Sequence, residues 1–385
     1  MGALGHFFRV LIRSGAGLAG FIGLVFFALL VFVGPLFVPF DGEVKLDQIN
    51  APPGARLELL TRTEDAEKYT TLASLEGRTV GVIRSSAGEL LLEPLEDEGV
   101  LEVEDYSRRQ VDDALEELSE GDTDALVLFS TLVNEFVTGP AEPEFPNLVV
   151  SNPRLGPIHL LGADTQGRDI FSHIVNGGRT LIVTALVAGL ISTFIAVLFG
   201  TLAALLGGVV DRVLTAIANF ILVIPRFPLL VVLAALFTLS NSLLLALLIG
   251  VLAWPALMRA VRAQVLSLRE RDYVEAASAL DLGLGHIIGR EILPNMMSFV
   301  VINFIFAITT AMYDQVGLIF LGMASINDYS WGVMLYFGRS RGTLFNADSA
   351  AMVLAPVVAI ALFQVSLVMF SRAVEELFDP RLRSA

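Results

Sequence analysis

The 385-residue sequence contains no cysteine, which removes disulfides, thiolate-bound zinc and cysteine nucleophiles and leaves the redox compartment unread. Histidine is scarce too. Four residues scattered along the chain offer no ligand cluster for a metal, and His286 reads as an ordinary polar residue. No glycine-rich loop ending in Lys-Ser or Lys-Thr occurs, so the phosphate cradle of a P-loop ATPase is missing. Neither a nucleophile with its base nor a metal constellation suggests an enzyme. Charge is sparse, at 17% of residues, and unevenly placed. Between Asp41 and Ile158 stand 26 Asp or Glu against 9 Lys or Arg, a net charge of −17, while the rest of the chain carries +2. One water-exposed acidic insert in a nearly neutral remainder accounts for this distribution.

What the chain has in abundance is apolar sequence: 55% hydrophobic residues and a mean hydropathy of +0.71. Such values belong to the membrane class rather than to soluble enzymes. A helix crossing the bilayer needs about 20 mostly apolar residues. Ala16 to Phe40 meets this without a charge and comes after Arg9 and Arg13. It is too long for the core of a signal peptide and is expected to be a retained helix with a cytoplasmic N-terminus. Further spans are expected at Thr180–Leu206, Val213–Leu236, Ser242–Leu257, Met296–Phe320 and Ala350–Phe370, the short Ser242 segment extending into the next helix. Six crossings return the C-terminus, with Arg381 and Arg383, to the cytoplasm. They also place inside the loop holding Arg259, Arg262, Arg269, Arg271 and Arg290, in accord with the positive-inside rule.

The expected organisation is therefore residues 1–40 as N-terminus and first helix, 41–158 as an extracytoplasmic α/β insert, and 159–385 as a five-helix core with a cytoplasmic loop at 259–291. In the insert, Thr79–Ile83, Leu101–Tyr106 and Ala125–Phe129 read as strands. Ala87–Glu98 and Arg109–Glu120 read as helices, the second with Val111, Leu115 and Leu118 on one face. Their alternation predicts a mostly parallel sheet. Pro52-Pro53 before it, and Pro140, Pro143, Pro146, Pro153 and Pro157 after it, mark linkers.

The most informative stretch is DYVEAASALDLGLGHIIGREILPN, from Asp272 to Asn295. Asp272 with Glu275 has the spacing of a capping box, and Tyr273, Ala276, Ala277 and Leu280 give a short helix a small apolar face. A turn over Gly283 to Gly285 precedes a second helix near His286. A bent pair of this kind, with alanines that allow close approach, suits a groove on a partner.

EAA at Glu275, Ala276 and Ala277, a turn, and ILPN ending after Pro294 resemble the coupling-loop signature of ABC importer permeases. LGADTQGRDIFSHIVNGGR (Leu161 to Arg179), Phe320-Leu321-Gly322 with Trp331-Gly332, and Asp379-Pro380-Arg381 are similar to the dipeptide, oligopeptide and nickel branch of that family. Together these motifs run through the whole chain outside the insert. The resemblance implies an all-α membrane protein with the six-helix type I ABC importer permease fold, carrying an extracytoplasmic α/β insertion domain. It further implies that Glu275, Ala276, Ala277, Asp281, Gly283, Gly285 and Pro294 couple the chain to an ATPase. Asp281 stands where the family usually has glycine, and aspartate tolerates the left-handed conformation better than most residues. The implied partners are a homologous sister permease, two nucleotide-binding subunits and an extracytoplasmic solute-binding protein, in a lipid bilayer and without nucleic acid. This chain carries no cofactor in that scheme, ATP and Mg belonging to the partner ATPase.

Arg226 in ILVIPRFPLL and Asp314 in TTAMYDQVGL fall inside apolar segments, where ionisable groups are costly. Two readings stand: the pair, with Gln315, lines a translocation path, or each snorkels to the headgroups from a helix end. Pro225 and Pro228 should bend the helix. Gly167, Arg168 and Asp169 are expected to form a structural turn with a local ion pair, a reading favoured over contact with substrate. LEGRTVGVIRSS and VDDALEELSEGDTDALVLFS in the insert resemble one lobe of a periplasmic solute-binding protein of the polar-amino-acid type. Three roles compete for it: a dock for a partner, a ligand sensor, or a solubilising decoration. The rival for the whole chain is a membrane-anchored extracytoplasmic sensor or adaptor, which leaves the EAA loop unexplained. The solute itself is not legible.

Overall fold

The computed structural model describes residues 11, 14–40, 42, 44–45, 48–49, 51–139, 144–155, 158–237, 241–326, 329–343 and 350–378. In chain order the elements are α1 (Gly15–Phe32), β1 (Leu57–Arg62), β2 (Thr79–Ile83), α2 (Ala87–Asp97), β3 (Glu102–Tyr106), α3 (Val111–Glu120), β4 (Ala125–Phe129) and β5 (Leu148–Asn152). Next come α4 (Ile170–Leu206), α5 (Gly208–Val223), α6 (Arg226–Leu236), α7 (Ser242–Arg269), α8 (Asp272–Ala279), α9 (Met297–Phe320), α10 (Trp331–Ser340) and α11 (Ala351–Phe378). They fall into two compact units, one of Met1–Phe37, Asn176–Tyr336 and Val357–Ala385, the other of Val38–Val175 and Phe337–Pro356. Arg9, Arg13, Pro140, Pro143, Pro157, Asp379-Pro380-Arg381 and Arg383, to which the sequence assigned topology, linkers or motif, lie outside the described residues.

Among the described residues, five helical stretches are long and apolar enough to cross a bilayer: Gly15–Leu36, Ile170–Leu206, Ser242–Arg269, Leu284–Phe320 and Ala351–Glu375. A sixth span results if α5 and α6, bent by 85° to one another, are taken as one. The break has a local cause. Ile224 is extended (ψ 126°), as expected of a residue whose helical conformation clashes with the ring of a following proline, here Pro225. Pro228 lies in the first turn of α6, where a missing N–H is harmless. Pro225 therefore makes the bend and Pro228 does not. The fourth span is longer than its apolar run, because the helix begun at the Asn241 cap (Leu244 N to Oδ1, 2.7 Å) continues to Arg269. Residues 259–269 of the expected cytoplasmic loop are thus helical.

The second unit holds a five-stranded sheet in the order β3-β2-β4-β1-β5. β2 runs parallel to β3 and β4, whereas β1 is antiparallel to β4 and β5. The sheet is mixed, which corrects the expectation of a mostly parallel one. The unforeseen strands β1 and β5 supply the antiparallel half. Alternation puts Leu59, Val80, Val82 and Val127 in a core with Leu92 of α2. Leu60, Leu126 and Leu128 join Val111, Leu115 and Leu118 of α3 on the other side. Burial in β1 pushes the Glu58 carboxyl above its usual range, and Arg56, 3.3 Å away, opposes this.

Candidate functional site

The segment after α7 is built around α8. Its preceding residue is Arg271, extended and without a side-chain cap, and Asp272 is the first helical residue. The helix starts one residue earlier than a capping box requires, so Asp272 acts only as a negative charge in the first turn. Val274 and Ala277 are buried, packed in one apolar cluster with Ala204 of α4, Val261 and Val265 of α7, and Ile287, Ile292 and Met296. The apolar face expected of this helix is divided by the geometry: Ala277 is spent inside the chain, and Tyr273, Glu275, Ala276 and Leu280 face outward. Leu280 is 73% exposed.

The helix ends in a Schellman motif. Leu282 N donates to Ala277 O (3.1 Å) and Asp281 N to Ser278 O (3.0 Å), with Asp281 at φ +53°. This is the pattern that ordinarily places glycine in the left-handed position. Leu282 completes it by packing in the cluster that holds Ala277. Gly283, at φ −56°, does not share the task, and a Cβ at Gly283 or Gly285 would meet open space. The turn therefore rests on Asp281 alone. Asp281→Gly is expected to stabilise it by about 0.5–1 kcal/mol and Asp281→Val to weaken it by at least as much, since a β-branched residue is excluded from left-handed backbone. Hydrogen exchange at the Leu282 amide should slow in the first variant and quicken in the second; equal rates would refute the assignment. Beyond the turn the chain widens into π-type turns at Ile287–Ile292, and Pro294 opens a short 3₁₀ turn where its missing N–H costs nothing. His286 Nε2 lies 3.7 Å from Glu291.

Within the helical unit, Arg226 begins α6 and Asp314 belongs to α9, and the two form an ion pair. Gln315 is not part of that constellation. Buried, with its Oε1 lacking a hydrogen-bond partner, it borders a small cleft with Thr180, Asn241, Leu245, Ile319 and Ser330. Arg226 instead borders a cavity of about 190 Å³ with Pro225, Leu229, Leu252 and Pro255.

In the other unit, Gly167 (φ +76°) makes the expected turn. Arg168 pairs with Asp164, Nε and Nη2 lying 2.9 and 2.7 Å from Oδ2, and both side chains are buried. The ion pair is formed by Asp164 and not by Asp169. Asp169 accepts from Ser172 N (2.6 Å) at the start of α4 and meets His159 Nδ1 at 2.8 Å.

Sequence reasoning also passed over Asp211 of α5, whose carboxylate grips Arg262 of α7 at two points, 2.5 and 2.6 Å. Arg262 carries a sequence signal only as positive charge, and the separation of 51 positions between the partners hides the pairing.

Residues 196–384 match the family described as binding-protein-dependent transport system inner membrane component. Residues 3–53 match the N-terminal TM domain of oligopeptide transport permease C. A peptide permease protein of Brucella ovis is 31% identical over 261 residues, 66% of this chain and 85% of that relative. The oligopeptide transport system permease protein OppC of Escherichia coli K12 is 33% identical over 194 residues, 50% of this chain and 64% of that relative. Holo ArgBP from T. maritima aligns with 29% of this chain and 44% of its own at 24% identity, with a TM-score of 0.24.

Proposed function

The chain belongs to the inner-membrane components of binding-protein-dependent transport systems, and from that membership we propose how its parts are used. It is a permease subunit of an ABC importer, and a membrane protein. The observation that carries the finer reading is the division of α8. Val274 and Ala277 anchor the helix to α4 and α7, while Tyr273, Glu275, Ala276 and Leu280 stand free for a partner. A short helix fixed on one side and offered on the other is suited to receive the closing movement of an ATPase and pass it on as a rigid body. ATP and Mg²⁺ are bound on that partner, since this chain has no glycine-rich phosphate loop.

In this reading a homologous sister permease completes the path, two ATPase subunits sit beneath, and a separate extracytoplasmic solute-binding protein delivers cargo. The N- and C-termini and α8 face the cytoplasm of a prokaryotic cell. The insert lies outside and serves as a dock for a partner. The solute is peptide-like, in keeping with the peptide permeases this chain is similar to, and Arg226 and Asp314 border its route.

Affinity purification of the tagged chain in mild detergent tests this. Wild type should recover a sister permease and an ATPase; Glu275→Arg and Leu280→Asp should retain the permease and lose the ATPase by about tenfold or more, as truncation of central contacts does. ATPase recovered equally from the variants would sink the assignment to α8. Its absence from the wild type would favour an anchored sensor.

A further inference from the structure

The end of α4 and the start of α5 are joined by Gly207 (φ +60°) and Gly208 (φ +54°). Both occupy the left-handed region that favours glycine, and no atom lies within 4 Å of where either Cβ would stand. A joint of this kind absorbs rotation. α7 nevertheless holds the chain on both sides of it. Before the joint, Arg269 Nη1 donates to the Ala204 carbonyl at 3.2 Å. After it, Arg262 Nε and Nη2 engage Asp211 Oδ1 and Oδ2 at 2.5 and 2.6 Å. Arg262 and Arg269 lie two turns apart, and so on one side of the helix. Only Glu270 and Arg271 separate α7 from α8. Through Val274 and Ala277, α8 packs against Ala204, Val261 and Val265, the same stretch of α4 and α7.

We infer that the Asp211–Arg262 pair is a transmission element, transferring displacement of α8 and α7 into α5 and, across the 85° break at Pro225, to Arg226. Resting as it does on the coupling role of α8, it adds the route inward. Without the pair, α5 meets α7 through the apolar packing of Leu214, Ala218 and Ile221 with Trp254 and Met258, which sets no direction, and the glycine joint can take up part of the motion before it reaches the first turn of α5. With it, the first turn of α5 must follow. The two-point guanidinium–carboxylate grip fixes direction as well as distance, which a lysine ammonium does not. Arg262 and Asp211 are positioning residues in this scheme and touch no solute.

Because the chain is free of cysteine, Val223→Cys gives it a single thiol, at the 81% exposed end of α5. The full complex, with cysteine-free partner subunits in nanodiscs, carries an environment-sensitive fluorophore there, and Mg-ATP is the only addition. Arg262→Gln should reduce the ATP-dependent signal at least about fivefold, the lower bound of ordinary coupling between sites, while bound ATPase still turns over ATP. Arg262→Lys should reproduce most of that loss. Exchanging the partners, Asp211→Arg with Arg262→Asp, should restore the signal. Persistence of the signal in Arg262→Gln, or its absence in the exchanged pair, would overturn the inference. A wild-type complex silent at Val223, or one that keeps its ATPase with Glu275→Arg, would instead overturn the coupling reading beneath it.

Discussion

Asp314→Ala should destabilise the chain by about 3 kcal/mol and abolish uptake. The figure is the low end for breaking a buried ion pair, chosen because the Arg226 side chain is 31% exposed and that of Asp314 12%. Most of the cost is the charge left behind: a guanidinium at the start of α6 among Pro225, Leu229, Leu252 and Pro255, without its carboxylate. Removing both charges separates stability from transport. Arg226→Leu with Asp314→Leu should return the unfolding midpoint in detergent to the wild-type value or above, because apolar replacements of buried pairs are commonly neutral or stabilising. Uptake of a labelled tripeptide mixture should nevertheless stay lost. If the double variant transports normally, the pair only holds α6 to α9. If the two single losses simply add in the double variant, the residues act apart.

The parts of the molecule that were legible in the sequence are those whose cause is local. An apolar run of about 25 residues becomes helical where lipid offers its backbone no other partner, although α1 covers only Gly15–Phe32 of the expected Ala16–Phe40, and Pro225 breaks a helix through its own ring. The segment from Asp272 to Asn295 was legible as a short helix and a turn because its residues are contiguous. Its finer geometry was not: adjacent helical residues point about 100° apart, so EAA cannot tell which alanine is turned inward, and packing on Ala204 and Val261 decided for Ala277. The same short-range uncertainty moved the ion pair of Arg168 from Asp169 to Asp164, four positions back and across a glycine turn. Strand β1 escaped notice because Glu58 interrupts its apolar pattern, and its partner β4 lies far along the chain, with Leu57 opposite Phe129. Asp211 and Arg262 meet only through the packing of α5 on α7, which no spacing in the sequence encodes.

Helix α1 supplies the second large effect, because its contact with α11 leaves no room for a side chain. Gly17, Gly20 and Gly23 form a stripe at intervals of three, the small-residue arrangement by which helices approach closely where lipid removes the hydrophobic drive between them. What a Cβ would strike differs at each position. At Gly20 it meets main chain: the Ser366 carbonyl oxygen at 2.7 Å, the Met369 carbonyl carbon at 2.8 Å and the Phe370 nitrogen closer still. At Gly17 it meets the Cβ of Ala373, with Ala373 Cα at 3.1 Å. At Gly23 it meets chiefly the Ser366 hydroxyl, with Ser366 Cβ at 2.9 Å. A hydroxyl can rotate away, although Ser366 Oγ then gives up its 2.7 Å bond to Leu362 O; an alanine methyl yields only if a helix shifts; a backbone yields only if the helices part. Alanine substitutions should therefore destabilise in the order Gly20, Gly17, Gly23, the first by about 3 kcal/mol, the upper part of the range for overfilled contacts, and the last by about 1 kcal/mol. Gly15→Ala, with no atom within 4 Å of the new carbon, should leave the midpoint unchanged. Thermal unfolding of the four variants in one detergent reads the series directly, and equal losses at Gly20 and Gly23 would mean that α1 and α11 are not held backbone to backbone.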